Sequence, residues 1–284
     1  MGILKSSSYE KEQILDFYND GAEIGRLERG IGKIEYQRTK DILERYLSTE
    51  KQVIYDIGGG IGVYSRWLAQ LGHEVHMFEL APNAVDYAIG LNKNNSSPIY
   101  NIEVADARSI NRPDESADIV LIMGPLYHLP EKEDRLKALR EASRVLKNNG
   151  LLIVSAISRF SSTLWGLSVF GLYNDLLSEK DFSNMIEEEL SSGQHIRPEK
   201  YKTFIARAFF HTPNELKEEI EETGLHFEKN IAVEGPVWMV PTFDEKWEQE
   251  ESKIELLKIC QLVEEQESLM GISPHFLAVC RKSE

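Results

Sequence analysis

Residues 53 to 62 read Val-Ile-Tyr-Asp-Ile-Gly-Gly-Gly-Ile-Gly, and this stretch constrains the fold more than any other. A short apolar strand ends in an acid, Asp56, a glycine run follows at once, and a helix-like segment begins at Val63. Residues without Cβ turn sharply and let the backbone approach a ligand closely. The helix that follows aims its unpaired N–H groups at the same crevice. Gly58, Gly60 and Gly62 spell G-x-G-x-G, whereas the dinucleotide fingerprint G-x-G-x-x-G needs glycine where this chain has Val63. A carboxylate two residues before the first glycine suits a nucleotide-like ligand that carries no pyrophosphate.

A second acid strengthens this reading. Residues 73 to 79 read as a strand ending in Glu79, 19 residues after Gly60. An acid at about that distance accepts hydrogen bonds from both hydroxyls of a ribose; a surface Glu at a strand end is the plain alternative. Strands at 53–57, 74–79, 100–104, the apolar run after Asp118 and 151–156 alternate with helices at 63–71, 82–92 and 131–147. Near-continuous apolar strands separated by helices predict a parallel sheet covered on both faces.

The alternation stops at residue 157. Residues 157–211 are rich in aromatics and helix-like polar stretches and show no clear strand. Thr212-Pro213-Asn214-Glu215 is a capping box with proline at the first helical position. A strand at 225–233, an acidic helix over 244–267 with an apolar stripe of Trp247, Ile254 and Leu257, and a strand from His275 to Cys280 complete the chain. The expected division is 1–50, an N-terminal helical lid; 51–156, the ligand-binding core; 157–211, a helical lid insert above the carboxyl ends of the strands; and 212–284, completion of the sheet.

The net charge of −15 disfavours nucleic-acid backbone and anionic membrane surfaces. Two cysteines, Cys260 and Cys280, fit a reduced setting. No apolar run is long enough to span a bilayer and no signal-peptide pattern is present, so the cytoplasm is the expected location. The histidines are scattered without ligand spacing, and no metal is expected.

The segment from about 51 to 156 resembles the class I S-adenosylmethionine-dependent methyltransferases, in particular the small-molecule branch of the type 11 and type 25 kind. The resemblance rests on Asp56 to Gly62, on Glu79, on Ala105-Asp106-Ala107 and on Asp118 to Leu129. It implies an α/β, Rossmann-like, seven-stranded and mostly parallel sheet with the last strand antiparallel, helices on both faces and a helical lid insert. It implies S-adenosylmethionine as cofactor, S-adenosylhomocysteine as product, and methyl transfer as the reaction. By this likeness Asp56, Gly58, Gly59 and Gly60 face the methionine end of the ligand, Glu79 the ribose hydroxyls, and Leu80 the adenine face. Asp106 and the backbone of Ala107 would meet the adenine edge, and the backbone at Met123 and Gly124 the methionine amine. A turn-capping Asp before a helix is the plain alternative for Asp106, and ordinary core packing the alternative for Leu80.

The turn Gly124-Pro125-Leu126-Tyr127-His128 lacks the Pro-Pro-aromatic sequence of amino-directed DNA methyltransferases and the cysteine of cytosine-C5 enzymes. It is similar to the small-molecule branch. His128 is either a general base or an imidazole that closes the loop onto backbone, and Tyr127 packs on the methionine chain or on the sheet. Related enzymes place an N-terminal Tyr over the methionine part and a basic residue near its carboxylate; Tyr18 and Arg26 are the candidates by position. Trp165, Phe170, Tyr173, Phe204 and Phe210 are expected to line the pocket of a small-molecule acceptor, or to form a satellite core. A macromolecular methyltransferase acting on protein or tRNA and a non-catalytic binding module remain the alternatives. Monomer and homodimer are both open.

Overall fold

The computed structural model describes residues 24–172, 175–202 and 204–283. Its centre is a seven-stranded sheet of order β3-β2-β1-β4-β5-β9-β8. The strands are β1 (Val53–Ile57), β2 (Glu74–Glu79), β3 (Asn101–Val104), β4 (Ala117–Ile122), β5 (Leu146–Ile157), β8 (Leu225–Ala232) and β9 (His275–Lys282). β1 to β5 pair in parallel. β9 runs antiparallel between β5 and β8, so the last strand is the reversed one, as expected.

Alternate side chains of each central strand enter opposite cores, which is why these strands are apolar without interruption. Tyr55, Ile57, Val120 and Ile122 pack with Leu139 and Ala142 of the helix Lys132–Val145 and with Leu216 and Ile220 of the helix Pro213–Glu222. Ile54, Ile119 and Leu121 pack the other way, on Leu43 of the helix Gly32–Glu44, on Trp67 and Leu68 of the helix Val63–Gln70, and on Ala88 of the helix Pro82–Asn92. Each such buried side chain contributes about 1.5–3 kcal/mol relative to an exposed one. Thr212 caps its helix as read: its hydroxyl accepts from the Glu215 N–H, and Glu215 accepts from the Thr212 N–H at 2.8 Å.

Two expectations change. The 157–211 segment contains two short strands, β6 (Gln194–Ile196) and β7 (Arg207–Phe209), paired antiparallel, beside the helices Ser161–Val169 and Lys180–Ser192. Three-residue strands are too short to show a period, which is why the sequence does not reveal them. The acidic helix is broken into Phe243–Trp247, Glu250–Val263 and Glu267–Met270. Ile254 is 57% exposed and not part of an apolar stripe; the contact is made by Trp247, Phe243 and Cys260 on Ile34. The described part of the N-terminal segment is a short turn, Arg26–Glu28, and the helix Gly32–Glu44.

That helix is clamped in place by charge. Arg38 is fully buried; its guanidinium pairs with Glu264, and its Nε donates to the Val233 carbonyl at 3.3 Å. Arg45 reaches both oxygens of the same Glu264 at 2.6 and 3.0 Å. Among the described residues no helix is long and apolar enough to cross a membrane.

Candidate active site

Strand order reverses at β1, which has β2 on one side and β4 on the other. Chains leave the carboxyl ends of such strands in opposite directions and open a crevice there. In this crevice the glycine turn is held by two backbone bonds, from the N–H groups of Gly58 and Gly59 to the Phe78 carbonyl at 2.7 and 3.2 Å. Gly58 has φ +79°, and a Cβ there would lie 2.3 Å from Cδ of Pro125. Any other residue would strain the backbone and drive the two ligand-facing turns apart.

A cavity of about 150 Å³ occupies the crevice. Its wall contains Arg26, Asp56, Gly58, Gly59, Gly60, Glu79, Leu80, Asp106, Ala107, Met123, Gly124, Tyr127 and His128. The sequence-predicted residues are therefore brought together; Tyr18 lies outside the described residues. Asp56 is buried, takes the Ser65 hydroxyl at 2.5 Å on Oδ2, and has no hydrogen-bond partner for Oδ1 among the described residues. Burial, with some help from Glu79 and against the Ser65 bond, pushes its pKa up to about 6. Glu79 Oε2 accepts from the Gly60 N–H and Oε1 from the Ala81 N–H, both at 2.9 Å, so this acid ties the glycine turn to the end of β2. Asp106 is engaged by a residue the sequence reading passed over: Arg108 donates through Nε and Nη2 at 2.9 and 2.7 Å and reaches Asp134 with Nη1 at 2.6 Å.

Tyr127 donates to the Met123 carbonyl at 3.3 Å and packs on Ile157, Ala208 and Phe210. His128 sits against the Tyr127 ring, with centroids 4.8 Å apart, and burial pushes its pKa down to about 3. Arg26 makes a bidentate pair with Glu35 at 2.6 and 2.9 Å. The insert's aromatics are elsewhere. Trp165 and Phe204 pack around Phe182, Phe210 joins the Tyr127 cluster, and Phe170 is 47% exposed. None of these four lines the cavity, and Tyr173 is outside the described residues. Ring-on-ring burial within the insert satisfies these side chains locally.

The wall also contains residues with no sequence signal, among them Glu35, Thr39, Tyr64, Ser155, Val233 and His275. Burial opposes the charge of Glu35, but Arg26 and His275 hold its carboxyl below the usual range. Glu35, Glu234 and His275 place ligand-type atoms within 4.8 Å of one another, the spacing of a cation site. Their chemistry is that of an internal ion network instead, since a guanidinium already occupies Glu35 and the His275 Nδ1 lies 2.7 Å from Glu234 Oε1.

Residues 55–154 match the family described as a methyltransferase domain. The chain is 34% identical over 103 residues to a glycine/sarcosine N-methyltransferase of Parasynechococcus marenigrum, covering 36% of each chain. It is 30% identical over 119 residues to a ubiquinone biosynthesis O-methyltransferase of Xanthomonas campestris, covering 42% of this chain and 48% of that protein. The chain thus spans less than half the length of these curated relatives. Among solved structures, an S-adenosylmethionine-dependent methyltransferase from Methanosarcina mazei superposes with TM-score 0.58 at 18% identity, over 85% of this chain and 97% of that one. A putative S-adenosylmethionine-dependent methyltransferase from Listeria monocytogenes gives TM-score 0.58 at 14% identity, over 89% and 100%. The matched segment, the strand order and the crevice agree: residues 55–154 are similar to the methyltransferase-domain family, and the chain has the Rossmann-like fold of the S-adenosylmethionine-dependent methyltransferases it superposes on.

Proposed function

We propose that this protein transfers a methyl group from S-adenosylmethionine to an O, N, S or C atom of a small-molecule acceptor. The observation that carries the reading is Asp56: a buried carboxylate on the cavity wall with one oxygen unpartnered among the described residues. Such a group calls for a cationic or hydrogen-bonding ligand, and the ammonium of the donor's methionine end meets that need without the phosphates the acid would repel. Glu79 would take the ribose hydroxyls, Leu80 and Ala107 the adenine, and the backbone at Met123 and Gly124 the amine. The donor supplies an electrophilic sulfonium methyl, so the protein's work is orientation and exclusion of water. His128 with a pKa near 3 is a neutral imidazole and a poor proton acceptor; we assign it and Tyr127 to shaping the loop. The names of the curated relatives favour a small acceptor over a macromolecule.

Isothermal titration with S-adenosylmethionine and S-adenosylhomocysteine tests the reading, which fails if neither binds. The pH dependence of that binding is a sharper measurement. The ammonium requires ionised Asp56, whose pKa stands raised at about 6 in the free protein. Affinity for S-adenosylhomocysteine should fall about tenfold per unit below pH 6. Asp56→Asn should bind more weakly at neutral pH and lose this slope.

A further inference from the structure

His275 on the cavity floor has no role in the donor-binding reading, yet the fold holds it with care. It opens β9 opposite Ile157, at the carboxyl end of β5. Its Nδ1 lies 2.7 Å from Glu234 Oε1, and its backbone N–H donates to Glu234 Oε2 at 2.9 Å. Glu234 is itself fully buried and takes the Ser273 hydroxyl at 2.9 Å. One ring nitrogen is thus committed as a donor, while Nε2 makes no hydrogen bond to a described residue and the side chain lines the cavity. A carboxylate that fixes an imidazole through Nδ1 leaves Nε2 oriented for proton transfer. The same wall holds the unpartnered Asp56 oxygen and the buried Tyr64 hydroxyl, which has Thr39 nearby but makes no well-formed hydrogen bond.

We propose that Glu234 and His275 form an acid–base pair on the wall of this cavity, with Nε2 taking the proton that a hydroxyl or amine acceptor gives up. The proposal rests on the donor reading above. The acceptor's lone pair bonds to the methyl carbon, the carbon–sulfur pair goes to sulfur, and the proton leaving oxygen or nitrogen passes to Nε2 and then to solvent. The groups near the imidazole are Glu234, Glu35 at 3.9 Å from Nδ1 and its partner Arg26, with Tyr64 and Asp56 also lining the cavity. Burial alone would lower the pKa of His275, but Glu35 and Glu234 outweigh it and push it up to about 9.

The imidazole is therefore protonated in the empty protein at neutral pH and must lose that proton to act as a base. A sulfonium in the cavity opposes a neighbouring imidazolium and lowers its pKa; the neutral thioether of S-adenosylhomocysteine does not. Donor binding itself would then ready the base. Titration calorimetry at pH 8, in two buffers of different ionisation enthalpy, counts the protons released by each ligand. In the wild type, S-adenosylmethionine should release roughly half a proton more than the same measurement shows in His275→Gln, relative to S-adenosylhomocysteine in each protein. The ligands' own ammonium groups contribute equally to both proteins and cancel. Glu234→Gln keeps the imidazole but removes the charge that raises its pKa, so its release should appear at lower pH. A difference between the two ligands that is the same in wild type and His275→Gln overturns the proposal. Failure of both ligands to bind the wild type overturns the donor reading instead.

Discussion

Truncation of Glu79 to alanine is expected to weaken S-adenosylhomocysteine binding by about 100-fold, the largest effect of any single change in the cavity wall. Hydrogen bonds to a charged group are worth about 1.5–3 kcal/mol each, and in the function proposed above Glu79 receives two ribose hydroxyls. Its two oxygens also take the N–H groups of Gly60 and Ala81, so its loss frees the glycine turn from the end of β2. Glu79→Gln should not restore binding, because its amide must point a donor at one of those two N–H groups. Titration calorimetry reads the affinity, and an unchanged dissociation constant in Glu79→Ala would remove Glu79 from the site.

The second large effect lies away from the cavity. Glu264→Ala should destabilise the protein by about 3–5 kcal/mol, the range for stripping the partner from a buried charge. Arg38 is fully buried and among the described residues would keep the Val233 carbonyl and an Asp41 oxygen 3.8 Å away. The midpoint of thermal unfolding should fall by on the order of 10 °C. Arg38→Met combined with Glu264→Leu should recover most of the loss, since it leaves no unpaired charge. Because the same clamp seats the helix that carries Glu35 and Thr39 to the cavity, Glu264→Ala should also weaken ligand binding below its melting range. A loss of stability under 1 kcal/mol would show that Arg38 finds another partner.

The core was legible because its signals are local. Strand, glycine turn and helix follow one another within residues 53–70, and Glu79 and Asp106 stand at strand ends, so spacing alone places them at one edge of a parallel sheet. The insert was not legible for the same reason. Its strands are three residues long. Its aromatics have no period that tells a cavity wall from a satellite core, and the folded chain sends Trp165 and Phe204 to the core. Asp106 shows the middle case: its position was readable, but its engagement by Arg108 depends on side-chain conformation.

Sequence by itself determined the alternation of strands and helices and the glycine turn after β1, because each depends on neighbours in the chain or on the two periods of regular structure; the reversed last strand was implied by the family resemblance, and the structure bears it out. Only the tertiary structure decided which distant residues complete the cavity wall. Glu35 comes from the N-terminal helix, Glu234 and His275 from the last quarter of the chain, and no spacing links them. They meet because β9 inserts antiparallel between β5 and β8, bringing His275 to the carboxyl ends of the parallel strands, and because the Arg38–Glu264 clamp seats the N-terminal helix beside it.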